Sequence, residues 1–154
     1  MTTNHPEAGE KIFKKGEVIY QQGDYVTAIF DVLWGQVALY VDYHKPTQRL
    51  LNEVEADGFF GIVGFLESRP QNATAVALEK TACMVITHES FSHYFQERPA
   101  KIMSLMQYMS KRMRVLTRGY LEASQALEEY ADAERLLKER KDWYEEHKDL
   151  NHRI

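Results

Sequence analysis

The sequence predicts a mainly β domain of sandwich or barrel type, followed by one long C-terminal helix. Three observations carry this. Seven of the eight glycines lie before Arg98-Pro99, and no proline follows Pro99. Short runs rich in Val, Ile, Phe and Tyr recur between residues 10 and 86, which suits strands. An apolar seam of heptad spacing runs from Ile102 to Tyr144, which suits a helix lying along another helix.

The strands come in order. Lys11-Ile-Phe13 precedes a turn at Lys15-Gly16, and Glu17-Val-Ile-Tyr20 precedes one at Gln22-Gly23-Asp24. Ala28 to Leu33 runs to Gly35, and Gln36 to Val41 follows. Gln48 to Leu51 comes after the loop holding Pro46, and the last two runs are Thr74 to Leu78 and Ala82 to Ile86. Glycine and proline between these runs mark the turns. Phe60 to Leu66 is read as a short apolar helix ending before Pro70. Thr87 is suited to cap a helix from His88 to Glu97, because its hydroxyl accepts from an orphan backbone N–H. Pro99 suits the first turn of the next helix, where a missing N–H donor costs nothing.

From Ala100 to about Leu150 the pattern is helical. Alternating steps of four and three give Ile102, Met106, Met109, Met113, Leu116, Tyr120, Ala123, Leu127, Tyr130, Glu134, Leu137, Lys141 and Tyr144. Only Glu134 and Lys141 break the apolar seam. Fifty helical residues reach about 75 Å, too far for one β domain to cover, so a partner helix is expected. Gly119 costs about 1 kcal/mol inside a helix, which leaves a helical hairpin as the alternative. Domains are therefore expected at 10–98 and 99–150. Homodimer contacts are expected at Met106, Met109, Met113, Leu116, Tyr120 and Leu127. The four methionines from Met103 to Met113 are expected to pack at the joint between domain and helix, with protein docking as the alternative.

Composition narrows the function classes. The 154 residues are 44% apolar and 27% charged, enough to bury a core. The start of the chain has neither a basic nor an apolar stretch, so no secretory signal is expected. The single Cys83 excludes an internal disulfide or a cysteine-ligated metal cluster within one chain. A cytoplasmic setting and no membrane span are expected. The net charge of −4 argues against nucleic acid as the main partner. The basic run Lys111-Arg112-Met113-Arg114 with Arg118 reads as a solvated helix face. No nucleophile elbow, P-loop or HExxH pair is present, and His88 and His93, five apart, do not share a helix face. No catalytic residue, metal site or cofactor is assigned.

Several motifs together resemble a known family. Phe13-x-x-Gly16-Glu-x-Ile19-x-x-x-Gly23-Asp24, then Ile29-Phe-x-Val-x-x-Gly35-x-Val37, resembles the opening strands of cyclic nucleotide-binding domains. Phe60-Gly61 through Pro70-Gln-Asn-Ala73-Thr74-Ala-Val76 resembles that family's phosphate-binding cassette. The helix after Pro99 resembles the dimerisation helix of catabolite activator-type regulators. The resemblance covers about residues 10 to 122. It implies a double-stranded β-helix, a jelly-roll-like β-roll of eight strands, with flanking helices. It also implies a ligand pocket at Phe60, Gly61, Ile62, Val63, Gln71, Asn72 and Ala73.

The departures from the family pattern shape the functional expectation. Members that bind cyclic AMP or cyclic GMP carry Glu where this chain has Ile62, and Arg where it has Gln71. An Arg–phosphate bond contributes roughly 1.5–3 kcal/mol. Losing both anchors is expected to weaken binding by about two to four orders of magnitude. Ile62 would fill the vacated space, or the pocket would take a less charged ligand. Arg69 is expected in solvent, since proline restricts the residue before it. The Gly-Asp turn usual before the cassette stands reversed as Asp57-Gly58. The segment after Glu122 is charged and has no turn glycine, so no helix-turn-helix unit and no direct DNA binding are expected.

The sequence thus reads as a non-enzymatic regulatory or scaffolding module that acts as a homodimer, with a protein partner at its helix, and with cyclic nucleotide binding lost or altered. One alternative is a working small-ligand sensor that signals through the helix. Another is a transcriptional co-regulator that pairs with a full-length relative.

Overall fold

The computed structural model describes residues 7–148. Among them are eight strands and three α-helices: β1(Gly9–Phe13), β2(Val18–Tyr20), β3(Ile29–Trp34), β4(Val37–Val41), β5(Arg49–Val54), β6(Phe59–Phe60), α1(Ile62–Glu67), β7(Thr74–Ala77), β8(Thr81–Ile86), α2(His88–Glu97) and α3(Pro99–His147). The strands form two antiparallel four-stranded sheets, ordered β1-β8-β3-β6 and β2-β7-β4-β5. This is the jelly-roll-like sandwich that the resemblance implies.

Strand periodicity sorts the side chains into two cores. On β3, Phe30 and Val32 join the first core. It also holds Phe13, Tyr20, Val37 and Val54. The neighbouring Ile29 turns to the opposite face and joins a second core with Phe65 of α1 and Tyr94 and Phe95 of α2. On β6, Phe60 joins the first core and Phe59 the second. The sheet is therefore packed on both faces at β3, β6 and β8, which explains the near-continuous apolar runs of those strands.

Helix boundaries follow from local chemistry. At the start of α2, the Ser90 N–H donates to the Thr87 hydroxyl at 3.4 Å and the Thr87 N–H donates to the Ser90 hydroxyl at 2.9 Å. This reciprocal cap satisfies two orphan donors. Pro99 pushes Arg98 out of helical conformation and separates α2 from α3. The helix α3 is continuous through Gly119 for 49 residues, and none of its side chains is fully buried. The chain divides into two compact units, Met1–Met109 and Ser110–Ile154. Among the described residues no helix is long and apolar enough to cross a membrane. The expected helix end at Leu150 lies outside the described residues.

Three local expectations need correction. Phe60 belongs to a strand, not to the cassette helix, which begins at Ile62. The two-residue β6 pairs with β3 through Phe30↔Phe60 and Asp31↔Phe59, a contact that no local pattern reveals. β5 continues past Leu51 to Val54, because polar Asn52 and Glu53 on an edge strand hide the β pattern. Met103, Met106 and Met113 are exposed in the single chain, and only Met109 is half-buried. Three of the four methionines therefore stand on the surface of the single chain, not in packing.

Candidate functional site

The turn between β6 and α1 sets the geometry of the site. Gly61 caps α1 in a left-handed conformation, with φ 78°. A Cβ there would stand 2.5 Å from the Ala28 carbonyl oxygen, so only glycine fits. Both backbone groups of Gly61 are used. Its N–H donates to the Tyr20 hydroxyl. Its carbonyl accepts from the Phe65 N–H at 3.2 Å and from the Gln71 side chain at 3.2 Å.

Gln71 closes this turn from inside. Its side chain is buried, with the residue 3% exposed. The Nε2 group donates to the Val26 carbonyl at 2.9 Å as well as to Gly61. Its backbone is held at both ends, the N–H by the Asp24 carbonyl at 2.9 Å and the carbonyl by the Gly23 N–H at 2.8 Å. The close seat depends on Gly64, where a Cβ would stand 2.3 Å from Gln71 Nε2. The Tyr20 ring packs with Phe30 and Phe60, whose rings stack with centroids 4.7 Å apart. Burial raises the Tyr20 pKa, although the Gly61 N–H opposes it. Here the hydrogen-bonding groups of Gly61 and Gln71 Nε2 are engaged by neutral partners.

The structure places the other expected residues unevenly. Phe60, Gly61, Gln71 and Ala73 are buried, and Gly61 and Gln71 meet directly. Val63 and Ile62 are half-buried. Ile62 packs against the second core. Asn72 is exposed. Arg69 is 74% exposed at its side chain and pairs with Glu67 at 3.5 Å. At the reversed turn Asp57 takes the left-handed conformation, with φ 65°, and Gly58 serves close packing instead. Of the expected dimer contacts, Met106, Met113, Leu116, Tyr120 and Leu127 are exposed and Met109 is half-buried.

A buried charge cluster escaped the motif reading. Asp31, inside β3, is 0% exposed. Its carboxylate accepts from the Tyr94 hydroxyl at 2.5 Å and pairs with Lys101 Nζ at 3.0 Å. Lys101 also pairs with Asp57 at 3.2 Å, just before β6. The cluster ties the start of α3 to β3, α2 and the turn leading into the cassette. An Asp in the middle of Ile29-Phe-Asp-Val32 was the available signal, since a buried carboxylate needs a partner.

These groups set an alkaline limit. Burial lowers the Lys101 pKa, but the hydrogen bond and charge of Asp31, with Asp57, raise it further, so it ends above the ordinary 10.5. Burial first, then the bond to Asp31, raises Tyr94. Burial pushes the Cys83 thiol up to about 12 from 9.0. The folded state therefore holds protons that the unfolded chain releases from about pH 9 upward. Stability is expected to be complete below that point and to fall as pH rises through 9 to 11. Urea midpoints measured at half-unit steps from pH 7 to 11 check this, and a flat series would contradict it.

Comparison with known proteins agrees with this architecture. The sequence profile of the cyclic nucleotide-binding domain matches residues 10–98. The chain is 25% identical over 104 residues to the cyclic AMP receptor protein of Thermus thermophilus, covering 68% of this chain and 48% of that protein. It is 28% identical over 83 residues to the cAMP-dependent protein kinase regulatory subunit of Dictyostelium discoideum, covering 52% and 25% respectively. The chain thus spans half or less of these relatives. The crystal structure of the Thermus thermophilus catabolite activator protein superposes with a TM-score of 0.63 at 23% identity, over 76% of this chain and 55% of that one, and so shares the fold. With more than half of its residues matched and the two-sheet roll in place, the chain belongs to the cyclic nucleotide-binding domain family.

Proposed function

We propose that the chain is a non-enzymatic regulatory or scaffolding module in which the phosphate position is closed by its own side chains, and whose output is protein contact through α3. One observation carries the first part. Gln71, at the position where cyclic nucleotide-binding members carry Arg, turns inward and spends its Nε2 protons on Val26 and Gly61. A cyclic phosphate arriving here would have to displace these bonds and would find no guanidinium in return. Arg69 pairs with Glu67 in solvent instead.

Calorimetric titration of the whole chain with cyclic AMP and cyclic GMP, up to millimolar ligand, tests this. No binding heat is expected for the native chain. Gln71→Arg is expected to bring cyclic nucleotide into range, with a gain of roughly tenfold to a hundredfold from the charge-assisted bond. Micromolar binding by the native chain would overturn the closed-site reading and make the chain a ligand sensor.

The second part rests on the seam of α3. Met113, Leu116, Tyr120 and Leu127 are each more than half exposed in one chain. Exposed apolar area repeated at heptad spacing is covered by self-association. Light scattering is expected to give about 36 kDa, twice the chain mass of 18.0 kDa. Leu116→Lys or Leu127→Lys is expected to shift the protein to monomer, because the buried ammonium finds no partner. An unchanged dimer in both variants would place the interface elsewhere.

A further inference from the structure

Tyr20 stands where strand alternation alone would turn it outward. On β2, Val18 is 39% exposed, while Ile19 packs against the first core. A side chain two positions after Val18 belongs on the same outward face. The pairing of β2 with β7 slips between Val18↔Val76 and Tyr20↔Ala75, so the strand carries an irregularity there. This bulge turns Tyr20 inward beside Ile19, and the residue is buried in the first core. Bulges re-aim side chains in this way, at the expense of ladder hydrogen bonds.

The side chain is aimed at the cassette turn, where its hydroxyl accepts the Gly61 N–H. Gly61 has no room to turn that N–H elsewhere. A Cβ on it would stand 2.5 Å from the Ala28 carbonyl oxygen and 3.0 Å from the Phe30 ring. The two groups that close the turn differ in stiffness. The Gln71 amide sits on a flexible stem with several staggered rotamers. The Tyr20 hydroxyl is fixed at the tip of a ring whose centroid lies 5.8 Å from that of Phe30 and 5.9 Å from that of Phe60. It leaves its place only if the aromatic core moves.

We infer that Tyr20 is a specificity-determining residue of the roll: aimed by the bulge in β2, it holds the Gly61 N–H against any ligand oxygen and excludes cyclic nucleotides independently of Gln71. This rests on the closed-site reading above and extends it. Gln71 denies the phosphate a cation, and Tyr20 denies the ligand a backbone donor. Supplying the cation alone leaves the second closure in place.

Calorimetry with cyclic AMP on the whole chain tests this, comparing the native chain, Gln71→Arg, and Gln71→Arg combined with Tyr20→Phe. The phenyl ring keeps the aromatic packing and removes only the hydroxyl. The double variant is expected to bind about two- to tenfold more tightly than Gln71→Arg, the worth of one freed hydrogen-bond donor. Its urea midpoint without ligand is expected to fall, because the Gly61 N–H is then buried and unpaired. A gain in affinity joined to a loss of stability marks an excluding group, since removing a merely structural one weakens both. Equal or weaker binding by the double variant, or none at millimolar ligand, would overturn the inference and leave the closed-site reading to the native chain and Gln71→Arg. Micromolar binding by the native chain would overturn both. If the double variant does not fold, hydrogen exchange of the native chain decides. Slow exchange at the Gly61 N–H is expected, and exchange at the rate of an open loop would overturn the inference.

Discussion

Lys101→Met is expected to lower stability by about 3 kcal/mol, read as a fall in the urea midpoint with little change in slope. The reason is what the substitution leaves behind. Asp31 is fully buried, and Lys101 is the cation that the structure places against it, with the Lys101 side chain 22% exposed. Removing that cation leaves an ionised carboxylate with only the Tyr94 hydroxyl as support. The cost sits at the lower end of the range for broken buried pairs because that hydroxyl remains. Adding Asp31→Asn to Lys101→Met is expected to recover much of the loss, since the double variant buries no unpaired charge. A double-mutant cycle reads this coupling, which is expected to exceed 1 kcal/mol. Additive losses would mean that the pair contributes nothing beyond its separate parts.

Gly64→Ala is the second large effect, an expected loss of about 2–4 kcal/mol. The added methyl would stand 2.3 Å from the Val26 carbonyl oxygen and 2.3 Å from Gln71 Nε2. The side-chain amide can swing away, but the backbone oxygen cannot. α1 must therefore lift from the roll, or the Gln71 amide must leave its seat. Either outcome breaks the bonds from Gln71 to Val26 and Gly61. Thermal unfolding of Gly64→Ala reads the loss directly. Hydrogen exchange is expected to show faster exchange at the Gly61 N–H and across α1 than in the native chain. A variant with native stability would contradict the tight seat described for Gln71.

Much of the fold was legible because its signals are local. Runs such as Ala82-Cys-Met-Val-Ile86 are rich in β-formers and sit between turns. The absence of proline after Pro99, with the seam from Ile102 to Tyr144, gave α3 its length. The cap at Thr87 was legible from that residue alone, whereas the return bond to the Ser90 hydroxyl was not read. β6 was missed because two residues carry no period of their own, and Phe59–Phe60 becomes a strand only by pairing with β3. Met103, Met106 and Met113 were expected in packing but are exposed, because sequence shows their apolar character but not the surface they meet.

The candidate site divides along the same line. That Gln71 stands where the family carries Arg, and Ile62 where it carries Glu, is visible in the residue order. That Gln71 turns inward is not. Its partners are the Val26 carbonyl, 45 residues away in sequence, and the Gly61 carbonyl, 10 away. Tyr20 entered no motif, yet its hydroxyl takes the Gly61 N–H. Ile62 was assigned to the pocket by its position, and its packing against the second core is visible only in three dimensions.

By itself the sequence determined the strand-rich roll, the long helix and the family motifs with their departures. Periodicity and turn chemistry act between residues a few positions apart, and so they can be read along the chain. Only the tertiary structure decided that the cassette turn is closed by Gln71 and Tyr20, and that Asp31 is buried against Tyr94 and Lys101. Those contacts join segments distant in sequence, and each forms because a buried polar group must find its partner wherever the packed sheets bring one within reach.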